Sequence, residues 1–461
     1  MSDERLSNLE VKEPVSTYGD AVRIEKIRFN NYKFFHGEFE LPVNGENLLV
    51  YGENGSGKST IYKALELLTK SGFTDFDENL NIFTDDGDVE VEIGFTNGQE
   101  LIITSDLEEI PDNFAFLKDL SVFSPLLDYK KLLKIHYSSN NGREKINLYS
   151  MLNQLLRDYP VGEGEDEKRL IEIKDFNRYF GVLKKIIKEE LLGDINRYLK
   201  QYFDADITIE SFEFRQEIVE SETGNVDQII NLSIDYKEKL IEKYHSFLNE
   251  ARLSALAISI YFVAIKKMLD TLKQDSLKIL VLDDLLISLD MSNRLKLLEI
   301  FKNEFTDFQI FFFTHDKELF EIYKDKMNWK KYELYLDDSE KIPKAILKQG
   351  KSEIERAKEY YTKKEYDACA LLLRKGFEKI LKAYLTPKEQ RDKNCIELDL
   401  SGLVGRSISK SSGENKNILE KLNLDRKHIL NPLSHNDIRP VYSQELKSAM
   451  EDLEKLKNLL T

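Results

Sequence analysis

Residues 48 to 60 constrain this chain more than any other stretch. They read Leu48-Leu49-Val50-Tyr51, then Gly52-Glu53-Asn54-Gly55-Ser56-Gly57-Lys58-Ser59-Thr60. Three apolar residues and a tyrosine predict a short buried strand, and Ile61 to Leu68 continue as a helix. The loop between them fits G-x-x-x-x-G-K-[ST], a pattern that carries meaning only between a strand and a helix. Glycines let successive backbone N–H groups turn inward around a polyphosphate, and the helix N-terminus adds a favourable dipole. In that geometry Lys58 reaches the β- and γ-phosphates and the Ser59 hydroxyl holds Mg²⁺. A glycine-rich turn with a chance lysine is the competing interpretation, and the stretches downstream weigh against it.

Those stretches form the other half of a nucleotide site. Phe247 to Met268 predicts a long apolar helix, entered through Leu248-Asn249-Glu250-Ala251-Arg252. Ile279-Leu280-Val281-Leu282 predicts a fully buried strand ending in Asp283-Asp284, with Asp290 just beyond. Gln309 to Thr314 predicts another, ending in His315-Asp316. Polar groups at the carboxyl ends of parallel strands are where an open α/β sheet binds ligands.

The remaining elements fall around these. Val22 to Phe29 and Phe34 to Leu41 alternate as half-buried strands, and Asn97-Gly98 between two apolar runs signals a hairpin. Phe114 to Tyr137 mixes apolar residues with Lys130, Lys131 and Lys134, read as a solvated face rather than a DNA contact. Leu170 to Phe203 shows helical spacing, and Ile207 to Ile218 with Ile229 to Tyr236 alternate as a second strand pair. After Lys341 only helices are expected, at 353–361, 365–385, 418–429 and 444–460, with 394–415 looser and rich in Ser and Gly.

With 461 residues, 41% hydrophobic and 33% charged, the chain has the composition of a globular protein of two or three domains. Cys369 and Cys395 make neither a disulfide framework nor a metal-ligand pattern. The polar start, residues 1–20, has no apolar core of the signal-peptide kind, and the longest apolar run, Leu253 to Ile265, is too short to span a bilayer. A cytoplasmic location without membrane association is expected. The net charge of −16 divides into about −21 before residue 345 and about +5 after it, which suggests a domain boundary there. So acidic a body argues against a broad grip on nucleic acid, while a local basic groove for DNA stays open.

In this order, the phosphate loop, the Asp283-Asp284 pair, Asp290 and His315 resemble the ATP-binding-cassette heads, in particular the RecF/SMC-like branch. The resemblance covers roughly residues 20 to 340. It implies an α/β ATPase head with a β-rich N-terminal lobe, binding ATP and Mg²⁺ and pairing with a second head as a homodimer or higher oligomer. It further implies that Asp283 serves the metal through water, that Asp284 stands in the general-base position, that Asp290 lies in the dimer-contacting loop, and that His315 senses the γ-phosphate. Asn249 falls in the signature that meets the partner's nucleotide, although Glu250 and Ala251 replace its glycines. Asp284 replaces the usual glutamate, and Asp128-Tyr129 sits near the place of the expected glutamine. A shorter carboxylate lies farther from the attacking water, so turnover is expected to be slow.

The insertion at about 140–245 is too short for coiled-coil arms. Compact cassettes with degenerate signatures occur in anti-phage and abortive-infection systems, which the Leu248–Ala264 and Leu282–Arg294 stretches resemble. The segment from 345 to 461 is similar to the HEPN helical family through Glu365 to Leu385, Arg374, Glu378 and Asn431-x-x-x-His435. Leu430 stands where that family's ribonucleases carry arginine, and Arg426 lies one turn earlier. The resemblances together imply an ATPase whose head pairing gates an effector, with the helical part as a docking module. A RecF-like DNA repair factor and an ATPase-regulated ribonuclease toxin are the alternatives.

Overall fold

A computed structural model of the chain describes residues 21–70, 72–73, 76–85, 87–122, 125–128, 147–162, 168–203, 206–220, 225–271, 276–285, 291–430 and 443–460. The described residues divide into two compact units that meet at Lys348/Gln349. Among them no helix is long and apolar enough to cross a membrane.

The first unit begins with β1 (Ile24–Asn30), β2 (Glu38–Pro42), β3 (Leu48–Gly52), β4 (Glu90–Phe95) and β5 (Glu100–Ile103). Strands β2-β1-β4-β5 form an antiparallel sheet. The β4–β5 turn closes over Asn97-Gly98, where only Gly98 takes a positive φ, of 82°. The short β6 (Leu126–Asp128) follows, then the two-residue strands β7 (Pro160–Val161) and β8 (Lys168–Arg169). A long hairpin comes next, β9 (Ile207–Glu220) and β10 (Asn225–Tyr236), extended by β11 (Lys239–Ile241). Last are β12 (Ile279–Asp283), β13 (Gln309–Thr314), β14 (Lys330–Asp337) and β15 (Lys344–Gln349).

The central sheet has the order β15-β14-β3-β13-β12-β6. From β14 to β6 every neighbouring pair is parallel. This explains why its strands read as unbroken apolar runs, since a parallel sheet is covered on both faces. Alternate residues serve opposite cores. Leu48, Val50, Ile279, Val281, Phe311 and Phe313 pack with the helix Lys58–Leu67 and the antiparallel sheet. Leu49, Leu280, Leu282, Ile310 and Phe312 pack with the helices Glu250–Leu269 and Met291–Glu304.

Two features of this unit escape the sequence pattern. At the seam between the sheets, the buried Gln309 side chain accepts from Ile24 N at 2.7 Å and donates to Ile24 O at 2.8 Å, doing the work of a strand partner. Arg23 beside it donates to the Phe308 carbonyl. Elsewhere, the helices Phe176–Lys185 and Leu192–Gln201 are joined by a π-helical turn, Ile186–Leu191. The second of them carries Arg197, whose Nη1 donates to Glu304 at 2.7 Å. Tyr202 adds a hydroxyl bond of 2.8 Å, and Lys266 pairs with the other carboxylate oxygen.

The second unit is built from the helices Glu353–Thr362, Tyr366–Tyr384, Leu400–Lys410, Gly413–Asp425 with a π-type turn to Leu430, and Ser443–Leu460. Two expectations are corrected. The region after Lys341 is not purely helical, because β15 is added to the central sheet beside β14. Nor is 394–415 a loose segment. Its Leu400, Leu403, Val404 and Ser407 recur at helical spacing and are buried in the bundle core, and Asp399 caps the helix by accepting from Gly402 N at 2.8 Å.

Candidate nucleotide-binding site

The parallel register gathers the carboxyl ends of five strands at one edge of the sheet. Leu334 pairs with Gly52, Thr314 with Tyr51, Phe313 with Asp283, and Asp283 with Asp128. The loop after β3, the Asp283-Asp284 pair, His315 and Asp128 therefore open onto the same edge, although they are drawn from segments far apart in sequence.

The loop has the backbone that its glycines allow. Gly55 and Gly57 take φ of 82° and 104°, and Gly57 precedes the helix as its N-cap with no side chain to occupy the first N–H groups. Neither Gly52 nor Gly57 has room for a side chain. A Cβ at Gly52 would meet Ser56 Oγ at 2.6 Å and Lys58 Cγ at 2.7 Å, and one at Gly57 would meet Phe34 Cδ1 at 2.9 Å. The helix has no acidic residue in its first turn, so its positive end is left for an anion. Lys58 is folded back over the loop, donating to the carbonyls of Gly52 and of Glu53, the latter at 3.1 Å. Burial lowers the proton affinity of its ammonium, while Asp284, Asp283 and Glu53 oppose that shift. Glu53, Asn54, Gly55 and Ser59 are exposed, whereas Ser56 and Thr60 are buried.

Asp283 and Asp284 sit side by side with different surroundings. Burial, and after it the Asp284 carboxylate, push Asp283 up to about 7, against the pull of Lys58. Its Oδ1 is shielded from solvent and has no hydrogen-bond partner. Asp284 takes a left-handed φ of 49°, a conformation that costs a non-glycine residue energy. That turn brings its Oδ1 to 2.8 Å from His315 N and 2.7 Å from His315 Nδ1. The histidine is thereby oriented with Nε2 pointing away from Asp284, open to a second partner.

Asn249 is exposed and caps the helix Glu250–Leu269, its Oδ1 accepting from Arg252 N at 3.0 Å. This leaves its amide N–H groups to donate outward. Asp290 lies outside the described residues, as do Tyr129, Lys130, Lys131, Lys134, Asn431, Pro432 and His435. In the second unit Arg426 is 6% exposed and already engaged. It donates to Asn423 Oδ1 at 3.2 and 3.1 Å and to Ser401 Oγ at 3.1 Å.

The donors fit the ions the loop implies. Mg²⁺ takes oxygen ligands and keeps much of its shell as water and phosphate oxygen, so one hydroxyl and one carboxylate are enough protein. The exposed Ser59 hydroxyl and the unpaired Asp283 Oδ1 are of that kind. Among the described residues no group of three or more His, Cys, Asp or Glu side chains is arranged to hold a metal without a nucleotide.

No protein-family model matches the sequence, and no curated protein matches it. Solved structures similar to the chain include SMC heads. One is an SMC head bound to the C-winged helix domain of ScpA, at 11% identity over 72% of this chain and 99% of that one, with a TM-score of 0.40. Another is the SMC head domain from Thermotoga maritima, at 14% identity over 70% and 98%, with a TM-score of 0.37. A third is an Smc head with an extended coiled coil, bound to the C-terminal domain of ScpA derived from Pyrococcus furiosus, at 11% identity over 75% and 100%, with a TM-score of 0.39.

Proposed function

We propose that the first unit is an ATP-binding-cassette type ATPase head that binds ATP with Mg²⁺ and hydrolyses it slowly. The observation that carries this reading is the convergence, at one sheet edge, of a glycine loop carrying Lys58 with an aspartate pair whose second member, Asp284, is bonded to His315. Lys58 supplies the phosphate counter-charge, and Ser59 and Asp283 hold the metal, which neutralises phosphate charge when bound. Asp284 accepts the proton of the water that attacks phosphorus as the bond to ADP breaks. His315 keeps that carboxylate in place through Nδ1 and turns Nε2 toward the phosphate.

Hydrolysis is coupled to assembly in this reading. Two heads close over two nucleotides, with Asn249 of each reaching the phosphate held by the other, and closure is favoured because ATP binds both at once. The second unit docks a partner or effector. Supporting this, Arg426 is tied to Ser401 and Asn423 rather than free to stabilise a cleaved phosphate. A cytoplasmic anti-phage role is the cellular setting we propose, on the resemblance of the signature and Asp283 stretches.

The test is calorimetric titration of ATP and Mg²⁺ into the full chain and its Lys58→Ala variant. Wild type binds, and the variant loses affinity by about 100-fold or more while circular dichroism shows a folded chain, its melting temperature slightly lowered because Lys58 is buried and bonded to the loop carbonyls. Equal affinity in the two would place the nucleotide elsewhere.

A further inference from the structure

Between β12 and β13 the chain is fastened at both ends to the same short turn. It leaves the sheet at Asp284, whose Oδ1 lies 2.8 Å from His315 N and 2.7 Å from His315 Nδ1. It comes back at Arg294, in the first turn of the helix Met291–Glu304, where the guanidinium pairs with the Asp316 carboxylate. The Arg294 carbonyl is held as well, accepting from the Tyr323 hydroxyl at 2.5 Å. Tyr323 is wholly buried, and its ring packs on Phe312 of β13 with centroids 5.4 Å apart. Arg294 is therefore gripped at side chain and backbone by the segment that follows His315.

Asp316 divides its two oxygens between separate tasks. Oδ1 accepts from Leu319 N at 3.0 Å and caps the helix Lys317–Lys326. Oδ2 takes Arg294. Capping needs no charge, since asparagine, serine and threonine also do it, so the negative charge and the second oxygen answer to Arg294. The side chains of the pair are 16% and 30% exposed, and solvent screens such a pair less than a fully exposed one. Asp316 N also donates to Thr314 Oγ1 at 3.1 Å, so His315 sits between two residues bonded to each other. On its other side His315 faces Asp284, whose left-handed φ of 49° persists only where the surroundings over-determine it. Arg294 supplies an anchor for the turn from the side away from Asp284.

We propose that Arg294 and Asp316 form a clamp that fixes the turn bearing His315 and, through it, the Asp284 carboxylate. Both are positioning residues, and their part in hydrolysis rests on the nucleotide reading given above. On that reading the attacking water needs its base held to a fraction of an ångström. The clamp makes that precision depend on the helix Met291–Glu304. A displacement of the start of this helix reaches Asp284 through Asp316 and His315.

The experiment uses the full chain, with Arg294→Gln, Asp316→Asn, the double variant, and Arg294→Lys, which keeps the cation. Asparagine at 316 retains the helix cap, so that variant removes the ion pair alone. Amide hydrogen exchange is read first, without nucleotide, on the peptide carrying His315, whose N–H is bonded to Asp284. Exchange there is expected to be about tenfold faster in Arg294→Gln and Asp316→Asn and close to wild type in Arg294→Lys. An ion pair that served stability alone would lower the melting temperature and leave this amide unmoved. ATP titration then shows affinities within about twofold of wild type in every variant. Steady-state hydrolysis shows kcat lowered about tenfold at unchanged KM in the two neutral variants, the cost of a sub-ångström misplacement. The double variant falls no further than the worse single one, because the two side chains act as one device. Wild-type exchange at His315 in both neutral variants, wild-type kcat in both, or additive losses in the double variant would overturn the clamp. A wild-type chain that binds no ATP would instead remove the nucleotide reading, and with it the part in hydrolysis. The exchange measurement would then still decide whether the pair holds the His315 turn.

Discussion

Asp283 and Glu304 are two acidic side chains of the first unit, handled in opposite ways. Burial works against ionisation at both. At Glu304 the bonds from Arg197, Lys266 and Tyr202 outweigh it, holding the carboxyl down to about 2. At Asp283 no donor answers burial, a second carboxylate stands alongside, and the group is driven up to about 7. The first pattern is that of a scaffold, in which the protein completes its own electrostatics when it folds. The second is the pattern expected of the metal site proposed above, where a bound cation would complete the charge balance. The contrast separates a charge satisfied within the fold from one left unsatisfied.

The comparison can be broken at each end. The largest effect is expected at the acid pair. Asp284→Asn retains ATP binding but slows hydrolysis by about 10²- to 10⁴-fold, the usual contribution of a positioned base, and accumulates the ATP-closed assembly. Hydrolysis at the wild-type rate, measured by phosphate release, would make Asp284 a scaffold group like Glu304. Next comes Glu304→Gln, which leaves two cations facing a neutral amide and destabilises the chain by about 2 kcal/mol in urea unfolding. Because the folded carboxyl titrates near 2, below its unfolded value of about 4.3, its stabilisation is present above that value. It is lost as pH falls from about 4 toward 2, so wild type and variant should converge there. The smallest effect runs the other way. Asp283→Asn removes an unpaired charge and should raise the melting temperature of the nucleotide-free chain at pH 8. Since the folded group titrates near 7, the gain shrinks as pH falls from 7 toward 4, where wild-type Asp283 is protonated in the folded state as well. A lower melting temperature at pH 8 would show that Asp283 has a partner after all.

The sequence made legible whatever was encoded locally. The phosphate loop could be found because positive φ at Gly55 and Gly57, and the lack of space at Gly52, are demands on single residues. The apolar runs of β12 and β13 announced themselves because both faces of each strand are buried. Strand β6 did not, since three residues carry no measurable period, and so Asp128 could be placed only by its distance from the loop. The 2.7 Å contact of His315 with Asp284 depends on a left-handed turn at an aspartate, for which no residue type is diagnostic. Gln309 reads as an ordinary polar strand start, and its bonds to Ile24 exist only once two sheets meet. The helix Leu400–Lys410 was masked by its Ser and Gly content, although its apolar spacing was present throughout.

The position of β3 in the central sheet has a consequence for how the protein is made. Its two neighbours, β13 and β14, are the segments Gln309–Thr314 and Lys330–Asp337. At a synthesis rate of about 5–20 residues per second, the phosphate-loop strand therefore waits on the order of 15 to 60 s on the ribosome before both partners exist. Until β13 is made Leu48, Leu49 and Val50 have neither strand neighbour, and pairing across so long a chain is entropically slow. A chain cut short between Thr60 and β14 carries the whole glycine motif but lacks a strand that flanks it in the sheet. On the function proposed above, nucleotide capture would then belong to the finished head alone.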